Sequence, residues 1–224
     1  MGQIKQLTPE VANLIAAGEV VENIESVVKE LVENSIDAHA SEISVDLVES
    51  GLQEIRIMDN GDGMDETDLT LSVKRHATSK IVRSDDLFRV LSLGFRGEAL
   101  ASLASVAELT IASSPVKAPS KVLKVQGTAQ GLTEGKAFKG TQIIAKNLLY
   151  QTPARLKYVK SPSQELTGVL DQMFHLAIAH PSIAFRLSNE GQPLLSTQGK
   201  GDVKRVLFDL YGSSIMQSLT PFSL

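Results

Sequence analysis

The sequence predicts an α/β protein in which helices cover a sheet built mainly of antiparallel strands, and three stretches carry that expectation. From about Val20 or Asn23 to Ala38, apolar residues recur at helical spacing through Ile24, Val27, Val28 and Leu31. From Glu42 to Glu49 and from Gln53 to Met58 the pattern alternates instead, with Ser50-Gly51 between, as two strands that return on each other. From Ser163 to Ala179 a broad helical face (Leu166, Val169, Leu170, Met173, Phe174, Leu176) stands before Pro181, which stops it, and this helix is expected to cover the sheet.

The remaining elements follow from local signals. Thr8 as N-cap and Pro9 at the first helical position predict a short helix to Ala17. Asp65 or Thr67 can cap a helix reaching Val73, after which Arg75 to Arg89 reads as a connection with one short helix. Leu91 to Glu98 reads as a loop opening an apolar helix through Leu100 and Leu103. Strands are expected at Ala107–Ser113, Lys121–Gln126 and Gly140–Asn147, separated by Gly- and Thr-rich turns and extending the same sheet. Short strands at Ala184–Ser188 and Pro193–Ser196 precede a helix over Asp202–Tyr211, ended by Gly212. The tail from Ser214 to Leu224 carries no capping signal, as if a further strand or domain followed.

At 224 residues the chain can bury a substantial core, and 42% hydrophobic with 21% charged residues is a globular balance rather than a disordered one. No run approaches the ~18 apolar residues of a membrane span, and Met1 to Lys5 is too short and polar to begin a secretory signal, so a cytoplasmic location and no membrane contact are expected. With no cysteine and four scattered histidines, a bound metal should be a hard, oxygen-ligated ion. Charge is uneven: residues 1–114 carry 9 Lys/Arg against 20 Asp/Glu, while residues 115–224 carry 13 against 6. The basic half either solvates its loops or meets nucleic-acid phosphate weakly.

Candidate chemistry gathers around the first long helix. At 3.6 residues per turn, Glu30, Asn34 and Asp37 fall within roughly 60° of one another, beside the apolar sector. Glu30 can serve as a general base toward water attacking a γ-phosphate, although alone it more readily describes a surface glutamate. The Asn34 side-chain oxygen can ligate Mg2+ without adding negative charge near a triphosphate. Asp59, where a strand gives way to a turn, suits an acceptor for an exocyclic amine such as that of adenine, and Gly61 and Gly63 permit close backbone approach. By itself, a D-x-G-x-G run is most often a plain turn.

Gly94, Phe95, Arg96, Gly97, Glu98, Ala99 and Leu100 form a glycine-rich helix start, whose free amides and helix dipole suit phosphate, with Arg96 adding charge. Just before it, Thr78, Ser79 and Lys80 offer two hydroxyls and a cation of the kind found in a lid over phosphates, or are ordinary loop residues. Thr141, after Gly140, can reach the same site or merely fit its strand.

Together these segments resemble the GHKL ATPases, the superfamily of DNA gyrase, the ninety-kilodalton heat-shock chaperone and histidine kinases, and within it the mismatch-repair MutL family. The match rests on Ile15 to Val21, Lys29 to Ala38, Asp59 to Gly63, Arg75 to Lys80, Leu93 to Leu100 and Thr152 to Arg155, in order and at family spacing. The Gly94-Phe95-Arg96-Gly97-Glu98-Ala99-Leu100 loop is the most specific element and sets aside a histidine kinase or topoisomerase domain.

The resemblance implies the GHKL or Bergerat fold, an α/β two-layer sandwich with helices on one face of a mixed sheet. Residues 1–200 would form the ATPase domain and residues 201–224 the start of a second subdomain. Glu30 would activate water and Asn34 would hold Mg2+. Asp37 would join them in the ATP site, with Asp59, Gly61 and Gly63 around adenine, Gly94 to Leu100 on the phosphates, Thr78 to Lys80 in the lid and Thr141 nearby.

The implied protein is a clamp, monomeric without nucleotide and a homodimer with ATP. It would hydrolyse ATP slowly and couple a MutS-type mismatch recognition protein to a downstream nuclease and helicase, with weak, non-specific DNA binding. The alternative is a nucleotide-gated interaction module with negligible turnover. The family's second subdomain contributes a γ-phosphate lysine that lies beyond this chain, so turnover should be poor.

Three departures from the family pattern stand out. Asn23-Ile24-Glu25 replaces Arg-Pro-Ala, where Asn23 should still cap the helix. His39 replaces a glycine at a position expected to need positive φ, and Gln151 replaces an asparagine.

Overall fold

The computed structural model describes residues 23–75, 77, 99–127, 129–150 and 159–216. Helix α1 spans Ile24–Asp37, and Asn23 caps it in extended conformation, its side chain accepting the Ser26 N–H at 2.7 Å. The cap thus satisfies an amide of the first turn that has no partner inside the helix. At the other end the chain leaves through His39 at φ 58, whose N–H donates to the Ile36 carbonyl at 2.9 Å. The left-handed residue expected there is present, carried by a side chain that tolerates it at a cost of about 1 kcal/mol.

Strand β1 (Glu42–Val48) turns through Glu49–Gly51 into β2 (Glu54–Asp59), antiparallel with Val45 opposite Ile57 and Ile43 opposite Asp59. A short helix α2 (Glu66–Ser72), capped by Asp65, and α3 (Ala99–Val106) precede a long hairpin. Helix α4 (Pro162–Ala179) begins with Ser161 and Gln164 in a reciprocal capping box. It carries the chain across to β5 (Ala184–Asn189), which runs parallel to β1 and is followed by antiparallel β6 (Gln192–Ser196). The last helix, α5 (Val203–Met216), is broken at Gly212, where φ is 74 and ψ is −176. No helix among the described residues is long and apolar enough to cross a membrane.

The hairpin corrects one expectation. The three separate strands predicted between Ala107 and Asn147 are two continuous ones, β3 (Glu108–Gln126) and β4 (Ala129–Lys146), with register shifts at Ser114/Ala118 and Pro119/Lys121. Pro115 and Pro119 do not end β3, because it is an edge strand of the sheet, where a residue without an N–H can be accommodated, and bulges absorb the irregularity.

The sheet order is β3-β4-β2-β1-β5-β6, with β1 and β5 the parallel pair. One face is apolar: Ile43, Val45, Ile57, Ile111, Ile143 and Phe185 are buried in a single core with Val28 and Leu31 of α1, Leu103 of α3 and Met173 of α4. Val206 of α5 lies in the same core. Each such side chain contributes about 1.5–3 kcal/mol by leaving water, so α1 is held to the sheet by its apolar sector and leaves its polar edge half-buried.

Candidate functional site

The register places Ser113 opposite Thr141 across β3 and β4, and Met58 opposite Gln142 across β2 and β4, so Thr141 lies beside Asp59 at the end of β2. Asp59 is 6% exposed. Its Oδ1 accepts the Gly61 N–H at 2.9 Å and the Thr141 N–H at 3.1 Å, and its Oδ2 accepts the Ser35 hydroxyl of α1 at 2.9 Å. Burial pushes this carboxyl above the ordinary aspartate range; hydrogen bonds from Gly61, Ser35 and Thr141 oppose the rise, and the charge of Asp62 adds to it. The result is a fixed acceptor in a dry setting, aimed by three elements at once.

The neighbouring hydroxyls complete a rigid frame. Ser113 Oγ donates to the Gly140 carbonyl at 3.1 Å, lies 2.9 Å from Thr141 Oγ1 and accepts the Met64 N–H at 2.8 Å, which ties the Asp59–Gly63 turn to β3. Two glycines make this approach possible. A Cβ on Gly63 (φ 70) would stand 2.1 Å from the Ser114 carbonyl oxygen, and one on Gly140 (φ 110) would stand 2.1 Å from the Asp59 carbonyl oxygen. Gly140→Ala should therefore cost about 3 kcal/mol or more, because both the backbone angle and the space exclude the methyl group. Urea unfolding checks this; an unchanged midpoint would contradict the close approach.

On α1, Glu30, Asn34 and Asp37 are half-buried along one edge, while Val27, Val28 and Leu31 beside them are buried, as the helical spacing predicts. The turn and the helix end are joined directly: Asp62 N–H donates to the Ala38 carbonyl at 2.8 Å, and His39 Nδ1 lies 2.7 Å from Asp62 Oδ2. Thus the edge bearing Glu30 and Asn34 and the turn bearing Asp59 form one body. Among the described residues no three His, Cys, Asp or Glu converge as a metal cage. A single amide oxygen at Asn34 suits Mg2+, which keeps waters and substrate phosphates as its other ligands.

Of the other predicted residues, Ala99 and Leu100 open α3, and Thr141 joins the Asp59 cluster through its N–H. Thr78, Ser79, Lys80 and Gly94 to Glu98 lie outside the described residues, as do Gln151 and the predicted helix at Thr8–Ala17. Sequence reading missed Ser35 and Ser113. The available signal for Ser35 was a small hydroxyl in the buried sector of α1; Ser113 becomes visible only through strand register.

A family profile described as histidine kinase-, DNA gyrase B- and HSP90-like ATPase matches residues 21–143. The chain belongs to this ATPase family. Among curated relatives of this chain is the DNA mismatch repair protein MutL of Geobacillus kaustophilus (strain HTA426), 50% identical over 222 residues, which are 99% of this chain and 35% of the relative. The MutL protein of Anoxybacillus flavithermus (strain DSM 21510 / WK1) is also 50% identical over 222 residues, 98% of this chain and 36% of that protein. The chain therefore spans about a third of the length of these relatives.

Among solved structures, the chain resembles the N-terminal domain of a DNA repair protein, with a TM-score of 0.78 and 29% identity over 94% of this chain and 64% of that one. It also resembles the Aquifex aeolicus MutL ATPase domain complexed with ADP, with a TM-score of 0.67 and 27% identity over 86% of this chain and 70% of that one. The mixed-sheet GHKL fold and the MutL resemblance drawn from the motifs are both borne out.

Proposed function

We propose that this chain binds an adenine nucleotide with Mg2+ between α1 and the Asp59–Gly63 turn and hydrolyses ATP slowly, as the nucleotide-driven part of a MutL-type mismatch-repair clamp. The observation that carries the reading is the buried Asp59 carboxylate, fixed by Ser35, Gly61 and Thr141 at the end of the sheet. Such an acceptor matches the exocyclic amine of adenine and rejects guanine, which offers a carbonyl oxygen at that place. Glu30 would take the proton from the attacking water, and Asn34 would hold the metal by its amide oxygen. Mg2+, when bound, neutralises charge developing on the phosphates. Gly94 to Leu100 would receive the phosphates, and Thr78, Ser79 and Lys80 would close over them.

ATP would drive homodimerisation, and the nucleotide cycle would time the hand-off from a MutS-type protein to a downstream nuclease and helicase. The resemblance to the ADP-complexed MutL ATPase domain supports the nucleotide, and the 50% identity to MutL proteins supports the repair role. Titration calorimetry with ADP and GDP in MgCl2 tests the reading. Saturable heat with ADP and none with GDP is expected; equal heats, or none with either, would refute it.

Weak DNA contact belongs to the same proposal, and the hairpin supports it. Lys117 and Lys124 of β3 and Lys136 and Lys139 of β4 are exposed and enter no ion pair among the described residues, whereas Lys121 is engaged by Glu66 at 3.2 Å and Glu134 at 3.4 Å. Replacing these four lysines by alanine should flatten the dependence of log affinity for duplex DNA on log salt by about 0.9 for each phosphate that is no longer neutralised. Fluorescence anisotropy at several salt concentrations reads the slope, and an unchanged slope would remove the hairpin from the interface.

A further inference from the structure

Glu165 lies in the first turn of α4, far in sequence from the nucleotide edge, yet it is 2% exposed and both of its oxygens are used. Oε2 accepts the N–H of Ile24, the first residue of α1, at 3.0 Å, and Oε1 accepts the N–H of Lys160 at 3.1 Å. Both helices direct the positive ends of their dipoles toward this carboxylate, which helps to accommodate it, and among the described residues it enters no ion pair. A second contact lies one turn along α4. A Cβ on Gly168 would stand 2.6 Å from Glu25 Oε2, so α4 meets the first turn of α1 at close range.

We infer that Glu165 is a positioning residue for the nucleotide-facing edge of α1. It pins the start of the helix to the chain entering α4, while Asn23 only satisfies Ser26 within its own turn. Because a helix behaves as a rod rising about 1.5 Å per residue, Glu30 stands about 9 Å from the pinned amide, and a tilt there displaces Glu30 and Asn34 together. Asp59 on β2 is anchored separately through Gly61 and Thr141, so base recognition should be largely spared.

The inference rests on the nucleotide reading above, and its test separates the two. ATP affinity is measured by calorimetry with MgCl2 and with EDTA, and hydrolysis by single turnover, for the parent and for Glu165→Gln. The amide retains one acceptor but turns a donor toward the other N–H. The ratio of the two affinities should shrink about fivefold or more and hydrolysis should slow about tenfold or more, while affinity in EDTA stays within about twofold.

A merely structural residue would lower the unfolding midpoint, or both affinities in parallel, with the ratio intact; either result overturns the inference. If Glu165→Gln does not fold, Glu165→Asp carries the same measurement, since it keeps the charge but is one methylene too short to reach both amides. Failure of both variants to fold assigns Glu165 to stability alone and also overturns it. Absence of nucleotide binding in the parent refutes the functional reading itself, whereas normal binding with an unmoved ratio in the variant refutes only the role of Glu165.

Discussion

Glu30→Gln should lower the single-turnover rate constant for ATP hydrolysis about 100-fold or more while leaving ATP affinity within about twofold. Glu30 is half-buried on the polar edge of α1, apart from the buried Val27, Val28 and Leu31 that hold the helix to the sheet, so the exchange removes little packing. Glutamine keeps the length and the acceptor oxygen but has no basicity at neutral pH, so what it withdraws is proton abstraction. On the proposed reading, binding depends on other groups: the Asp59 acceptor, the Asn34 oxygen and the glycine-rich turns. If the variant hydrolysed ATP at the parental rate, the base would have to be another residue. If it lost binding as well, Glu30 would be holding the nucleotide rather than acting on water.

Asp59→Asn should weaken ADP binding about 100-fold without destabilising the fold. Asparagine can keep its oxygen on the Gly61 and Thr141 amides, and its NH2 can donate to the Ser35 hydroxyl, which can reverse its role. Toward the ligand, however, that NH2 replaces an acceptor by a donor, so it opposes the adenine amine.

The stability expectation follows from the titration of Asp59. Burial holds its folded pKa above the unfolded value, so the native state retains the proton longer. The group's contribution to stability is complete below the unfolded pKa and is lost as pH rises through the folded pKa. At neutral pH the carboxylate is therefore a stability cost that the variant relieves, and its urea midpoint should be unchanged or higher. For the parent, ADP affinity should decline on acidification at a pH above that of an ordinary aspartate, because protonation turns the acceptor into a donor. A parental midpoint in Asp59→Asn together with parental ADP affinity would remove Asp59 from base recognition.

Much of this arrangement was legible in the chain. The helical phase of Ile24, Val27, Val28 and Leu31 fixed which edge of α1 is polar, and strict alternation in β1 and β2 set their register so that Asp59 ends a strand. Caps at Asn23 and Asp65 could be read because they are local. What escaped was non-local. Ser35, Thr141 and Asp59 converge across separations of tens of residues, and only the pairing of β2 with β4 brings Thr141 to the carboxylate.

The continuity of β3 and β4 was hidden by the glycines of β4, which read as turns, and by Pro115 and Pro119, which β3 tolerates because it is an edge strand. Glu165 had a signal that went unread. It falls in phase with Val169 and Met173, so a charge sits on the buried stripe of α4 and needs buried partners.

The central claim is that adenine is recognised at Asp59, and amide NMR tests it most directly. Titrating the protein with ADP in MgCl2 should shift the Gly61 and Thr141 N–H resonances saturably, because both amides share Asp59 Oδ1, while GDP leaves them in place. Unmoved resonances at saturating ADP, or equal shifts with GDP, would contradict it.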